Sequence, residues 1–170
     1  KGNIYMSGVI GKANTTEGDF GIVSINYCTN NGTLSSTKES VVGASLMMSG
    51  ITGDILPGRE VTSSFLENNG TITHKGASGD LSIAGIASYT VKSSISNCSN
   101  TANFTVEDGA TTGAVRLAGL IANTVTANTI DNCSNSGNLT VKKATTTENR
   151  LAGFSTGTAY SLSMTNCSNS

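Results

Sequence analysis

Tryptophan is absent from this 170-residue chain, proline and histidine occur once each, and aromatic residues make up only 5%. A chain so poor in strong helix-forming stretches is not a helical repeat, and its composition points to strands and turns. Charge is also scarce: ten basic residues oppose eleven acidic ones for a formal charge of -1, which leaves no electrostatic footprint for a polyanion. No nucleic-acid partner is therefore expected, and with no long apolar run, no membrane insertion of this segment either. The lone histidine, His74, stands beside Lys75 without a matching column of carboxylates, so the spacing offers no triad and no metal site. It reads as a solvated loop residue. The carboxylates do not recur at one position of any repeat, and no catalytic residue, cofactor or metal is expected.

What the chain does have is a repeated phrase. An apolar-small-Gly-apolar tetrad occurs as Met6-Ser7-Gly8-Val9, Met48-Ser49-Gly50-Ile51, Ile83-Ala84-Gly85-Ile86, Leu117-Ala118-Gly119-Leu120 and Leu151-Ala152-Gly153-Phe154. Gly50, Gly85, Gly119 and Gly153 are spaced by 35, 34 and 34 residues, and a fixed period of this length signals a solenoid or array. The residues before the glycine alternate with period 2, placing Leu81, Ile83 and Gly85 inward and Ser82 and Ala84 outward. A glycine recurring at an inward slot predicts a close backbone approach or a bend. A second strand carries Ile25, Ile95, Ile130 or Met164, and a third carries Leu34, Ile72, Phe104 or Leu139. The sequence thus predicts an all-β fold: a single parallel β-helix or solenoid over 1–170, by default right-handed, with about four to five coils of three short strands each. Its apolar share of 36% supplies a core, provided that neighbouring coils cover one another. Lys1 lies partway into a coil and Ser170 inside a turn, which reads as a processed form or a part of something longer.

Two columns follow from the period. Cys28, Cys98, Cys133 and Cys167 share one slot, with Leu66 in the remaining coil, so the slot suits a small buried apolar group and free thiols are expected over disulfides. Asn30, Asn68, Asn100, Asn135 and Asn169 occupy every coil two residues later, as a structural ladder of stacked amides or as turn residues. Asn97, Asn132 and Asn166 precede three of the cysteines. Polar excursions at Lys12 to Phe20, Ser36 to Ser40, His74 to Asp80, Glu107 to Thr112 and Lys142 to Arg150 hold most of the charge on one edge. Asp54, Arg59 and Glu60 form the nearest approach to an acidic and basic cluster, and Arg116 and Arg150 are placed to share a face one coil apart.

At Leu117-Ala118-Gly119-Leu120 and Asn132-Cys133-Ser134-Asn135-Ser136-Gly137-Asn138-Leu139-Thr140 the chain resembles the GLUG-type β-helical repeats of bacterial cell-surface proteins and adhesins, departing from them at Leu66 and Ala102. The resemblance implies an extracellular or cell-surface location and a non-enzymatic structural or adhesive role, displaying or spacing binding elements. Expected partners are other domains or copies through open coil ends, and a host glycan or protein. A carbohydrate-binding or carbohydrate-active β-helix is the alternative, in which Tyr5, Tyr89, Tyr160 or Phe20 would line a groove with polar partners. A weaker alternative is an ice or crystal-surface binder: outward threonines such as Thr71, Thr73, Thr105 and Thr140 resemble the ice-binding face of some β-helical antifreeze proteins, although a solvated β-surface has the same pattern.

Overall fold

Period-2 strands separated by tight turns stack coil upon coil, because each coil's backbone finds its hydrogen-bond partners only in its neighbours. The computed structural model describes residues 3–12, 23–37, 44–76, 79–107, 113–126, 128–142, 148–157 and 161–170, with the backbone alone for 23 and 55–61. The first coil comprises β1 (Ile4–Ser7), β2 (Val23–Asn26), β3 (Thr29–Asn30) and β4 (Leu34–Ser36). The second comprises β5 (Leu46–Ser49), β6 (Ile55–Ser64), β7 (Glu67–Asn68) and β8 (Ile72–Lys75). The third contains β9 (Leu81–Ala84), β10 (Thr90–Ser96), β11 (Ser99–Asn100) and β12 (Phe104–Glu107), and the fourth β13 (Val115–Ala118), β14 (Asn128–Asp131), β15 (Ser134–Asn135) and β16 (Leu139–Val141). The last holds β17 (Asn149–Ala152), β18 (Leu162–Thr165) and β19 (Ser168–Asn169).

Among the described residues corresponding strands pair in parallel, giving three five-stranded sheets (β1-β5-β9-β13-β17, β2-β6-β10-β14-β18 and β3-β7-β11-β15-β19) and one four-stranded sheet (β4-β8-β12-β16). The fold is the expected parallel β-solenoid, with two differences. About three turns are covered by a turn on either side, fewer than the four to five coils read from the tetrads, because the outermost strands of each sheet are edges. Each full coil also has four strands in place of three. The Ser-Asn pair after the cysteine, read as part of a turn, is itself a two-residue strand, since Asn100 pairs in register with Asn68 on one side and Asn135 on the other.

Two apolar clusters fill the interior. Ile51, Ile86 and Leu120 pack with Ile95, Ile130, Leu66, Cys98 and Cys133, while Met48, Ile83 and Leu117 pack with Ile72, Phe104 and Val106. In chain order these clusters are divided at the glycine of the tetrad and at the asparagine of the second phrase. There the two halves of the coil touch: a Cβ added at Gly85 would meet Asn100 Oδ1 at 2.7 Å and also strike the Gly119 carbonyl. Close approach, and not φ, is what requires glycine in this column. The small residue before it has a matching reason. Ala84 is expected to face outward, yet it and Ala118 are fully buried in a minor cluster with Ala122, since the segment after the glycine turns back over that side of the strand.

His74 departs furthest from expectation. It continues the inward alternation of β8 from Ile72, pairs in register with Ser36 and Val106, and is fully buried. Its Nε2 bonds to the Gly76 carbonyl at 3.0 Å, while Nδ1 has no partner. Burial holds its pKa below the usual imidazole value, against the smaller opposite effect of the Gly76 carbonyl.

Candidate functional site

The asparagine column forms a continuous chain of side-chain amides. Each Nδ2 donates to Oδ1 of the next coil: Asn30 to Asn68 at 2.8 Å, Asn68 to Asn100 at 2.7 Å, Asn100 to Asn135 at 2.8 Å and Asn135 to Asn169 at 2.8 Å. The second amide hydrogen of Asn100 and of Asn135 reaches the carbonyl two residues on, at Ala102 and Gly137. Amides buried between two apolar clusters are thereby satisfied within the ladder, and every dipole points the same way along the axis.

The cysteine column sits next to it. All four thiols are free; Cys98 and Cys133 are buried, and Cys28 and Cys167, near the two ends, are half-buried. Cys98, Cys133 and Cys167 donate to the carbonyl two residues earlier at 3.1 Å, and Cys28 does so at 3.4 Å. The Cys98 amide donates to the Cys133 sulfur at 3.3 Å. Contact with the Cys133 sulfur, reinforced by burial, pushes the Cys98 thiol well above its ordinary range, so it is a core group and not a nucleophile.

The outward residue immediately before this slot makes the corner between the second and third sheets. It adopts the left-handed conformation in every coil: Tyr27 (φ 56°), Phe65 (56°), Asn97 (52°), Asn132 (49°) and Asn166 (53°). Asparagine tolerates this region, whereas a bulky side chain pays about 1–2 kcal/mol there. At this corner Asn132 Nδ2 donates a hydrogen bond to Asn97 Oδ1 at 2.6 Å. In the first two coils it instead carries two parallel rings, Tyr27 on Phe65, with centroids 4.9 Å apart and planes inclined by 3°. Contacting rings lie about 3.5 Å apart, so this spacing requires an offset of about 3 Å, and each ring shows part of a face. Tyr27 is 78% exposed and Phe65 45% exposed. Stacking returns about 0.5–1.5 kcal/mol, which at best offsets the backbone cost of one of the two. This pair is not among the residues that the sequence singled out. Its signal was present: an aromatic residue stands in two coils where the other three have asparagine.

Polar groups flank the rings. On one side Asn26 Oδ1 accepts from the Ser64 amide and hydroxyl, each at 2.9 Å, and Ser24 bonds to Thr62 at 3.1 Å. On the other side Thr29 and Glu67 are exposed and in register, with Asn31 and Asn69 joined at 3.1 Å beyond them.

The remaining candidates are distributed elsewhere. Asp54 is buried at 3% exposure with Oδ1 unpartnered, and is not on an outer charged face; the side chains of Arg59 and Glu60 lie outside the described residues. Burial raises the Asp54 pKa, against the smaller effects of the Tyr5 hydroxyl and the Lys12 ammonium. Tyr5 and Tyr89 are half-buried beside that carboxyl, and the Lys12 ammonium lies 5.2 Å from the Tyr5 ring centroid. Tyr160 and Phe20 lie outside the described residues. Arg116 and Arg150 do share a face, in register, with Glu148 bridging them at 3.7 and 2.7 Å. Much of the excursion edge also falls outside the described residues; within them, Lys142 pairs with Glu107 at 2.7 Å and Asp80 Oδ1 accepts from the Ala114 amide at 2.8 Å. Among the described residues no group of three His, Cys, Asp or Glu side chains is placed to hold a metal.

Stacked columns of this kind define the chain as a parallel β-solenoid repeat protein. Comparison with protein-family models, with curated proteins and with solved structures finds no match.

Proposed function

We propose that this chain is a non-enzymatic structural or adhesive β-solenoid of GLUG type that works outside the cell or at its surface, holding binding groups at fixed spacing. The observation that carries this reading is the unbroken amide ladder from Asn30 to Asn169. It ties every coil to the next inside the core, while the outward positions change from coil to coil. Such a rod suits display better than chemistry, which needs convergent acid, base or nucleophile groups. Its ends are suited to partners. The last coil exposes Leu151 at 46%, Leu162 at 41% and Met164 at 39%, and an open cleft of about 270 Å³ lies between Leu139, Leu151, Gly153 and Asn169 above the edge of β16. Unpaired strand edges recruit further strands, so other domains or further copies dock there. The exposed aromatic pair favours a second reading, a carbohydrate-binding solenoid, because sugar rings stack on aromatic faces rimmed by hydrogen-bonding groups.

Surface labelling of the native source cells, combined with adhesion of beads coated with the chain to glycan- and protein-bearing surfaces, tests the proposal. Labelled chain and adhering beads are expected. A chain protected from the label inside intact cells, with inert beads, would overturn it.

A further inference from the structure

We propose that Tyr27 and Phe65 form a stacking platform for a pyranose ring of a neutral polysaccharide, with Asn26, Thr29 and Glu67 orienting its hydroxyls. The proposal rests on the display reading and names the ligand class and the residues that the rod would present. Four observations converge on it.

The two rings are parallel and offset at an outward corner, where Tyr27 keeps most of its surface in solvent and Phe65 nearly half. Both residues hold a left-handed backbone that bulky side chains disfavour, at a position where three other coils show asparagine adopting the same φ. Strain retained by an exposed side chain points to a use outside the fold. The apolar area is the uncovered part of two stacked ring faces, bordered by amide, hydroxyl and carboxylate groups; it is far too small for a stable protein interface and matches one sugar ring, whose C–H groups make an apolar face rimmed by hydroxyls. Finally, Glu67 beside the rings and a formal charge of -1 for the chain disfavour the other ligands that stack on aromatics, single-stranded nucleic acids. Thr29 and Glu67 are in register across adjacent coils, so their side chains stand one strand spacing apart, close enough for both to reach hydroxyls of one sugar.

The test is native affinity electrophoresis of the full chain through gels carrying mixed-linkage β-glucan, mannan, xylan or arabinogalactan. Wild type, the double variant Tyr27→Asn/Phe65→Asn and the control Asn97→Ala are compared. The double variant places at both corners the residue that the backbone prefers, and its circular dichroism and melting midpoint are expected to match or exceed those of the wild type. Retardation of the wild type by at least one polymer is expected, with at least a tenfold loss of affinity in the double variant and none in Asn97→Ala. A wild type that none of the four polymers retards, or a folded double variant that binds as tightly as the wild type, would overturn the platform. Bead adhesion separates this outcome from the broader reading. Adhesion and polymer binding that both survive the two substitutions overturn the platform and leave display standing, whereas polymer binding by the wild type without adhesion of its beads overturns display alone.

Discussion

His74→Val exchanges a fully buried imidazole for the residue that stands in the same column one coil on, Val106. The wild type leaves Nδ1 without a partner, at a cost of about 1–3 kcal/mol, and gains one hydrogen bond from Nε2 to the Gly76 carbonyl worth about 1 kcal/mol. Valine removes both, and Gly76 is near enough to solvent for its carbonyl to be rehydrated. At pH 7.5 the variant is therefore expected to be as stable as the wild type or up to about 2 kcal/mol more stable. The sign of the pH dependence is firmer than this balance. The imidazole is held below its ordinary value of 6.5 in the fold, so between 6.5 and its folded value the unfolded chain binds a proton that the native chain refuses. Stability of the wild type falls as pH drops through that window, by up to about 1.4 kcal/mol per unit, and the variant lacks this term. Urea unfolding followed by circular dichroism at pH 7.5 and 5.0 measures the difference; Asp54 titrates in both chains and cancels. Parallel loss of stability in the two chains over that range would refute the assignment of a buried, neutral His74.

Asn100→Ala removes the middle of the amide ladder and strands Asn68 Nδ2 and Asn135 Oδ1 in the core, for an expected loss of about 3–5 kcal/mol in urea unfolding. The same change at the exposed end, Asn169→Ala, should cost less than about 1 kcal/mol, and equal losses would show that the ladder is not a buried network. In a thiol-reagent titration Cys28 and Cys167 should react in the native state while Cys98 and Cys133 wait for denaturant; four equally fast thiols would contradict the stacked core column. Asp54→Asn should raise the melting midpoint at pH 8, where the buried carboxylate is charged, and the gain should fade towards pH 4 because a raised folded pKa costs stability only above the unfolded value. A gain unchanged from pH 8 to pH 4 would show that charge burial is not its source.

A period of 34 to 35 residues placed each strand column and put cysteine over cysteine and asparagine over asparagine, because a solenoid repeats in space whatever repeats in sequence. The inward glycine also announced a close approach, although its partners, the asparagine amide and the next coil's carbonyl, emerged only when the coil closed on itself. Elsewhere the tertiary structure decided. His74 looked like the start of a loop from its lysine neighbour and single occurrence, yet β8 runs one alternation further and carries it inside. Ala84 followed the outward half of its strand's alternation, but a segment returning over the sheet buries it from the other side. The aromatic pair is the clearest case. Tyr27 and Phe65 are 38 residues apart and each looks like an isolated substitution in a polar turn. Their contact exists because the left-handed corner aims the same outward vector from successive coils one strand spacing apart, and that direction is a property of the closed coil and not of either local sequence.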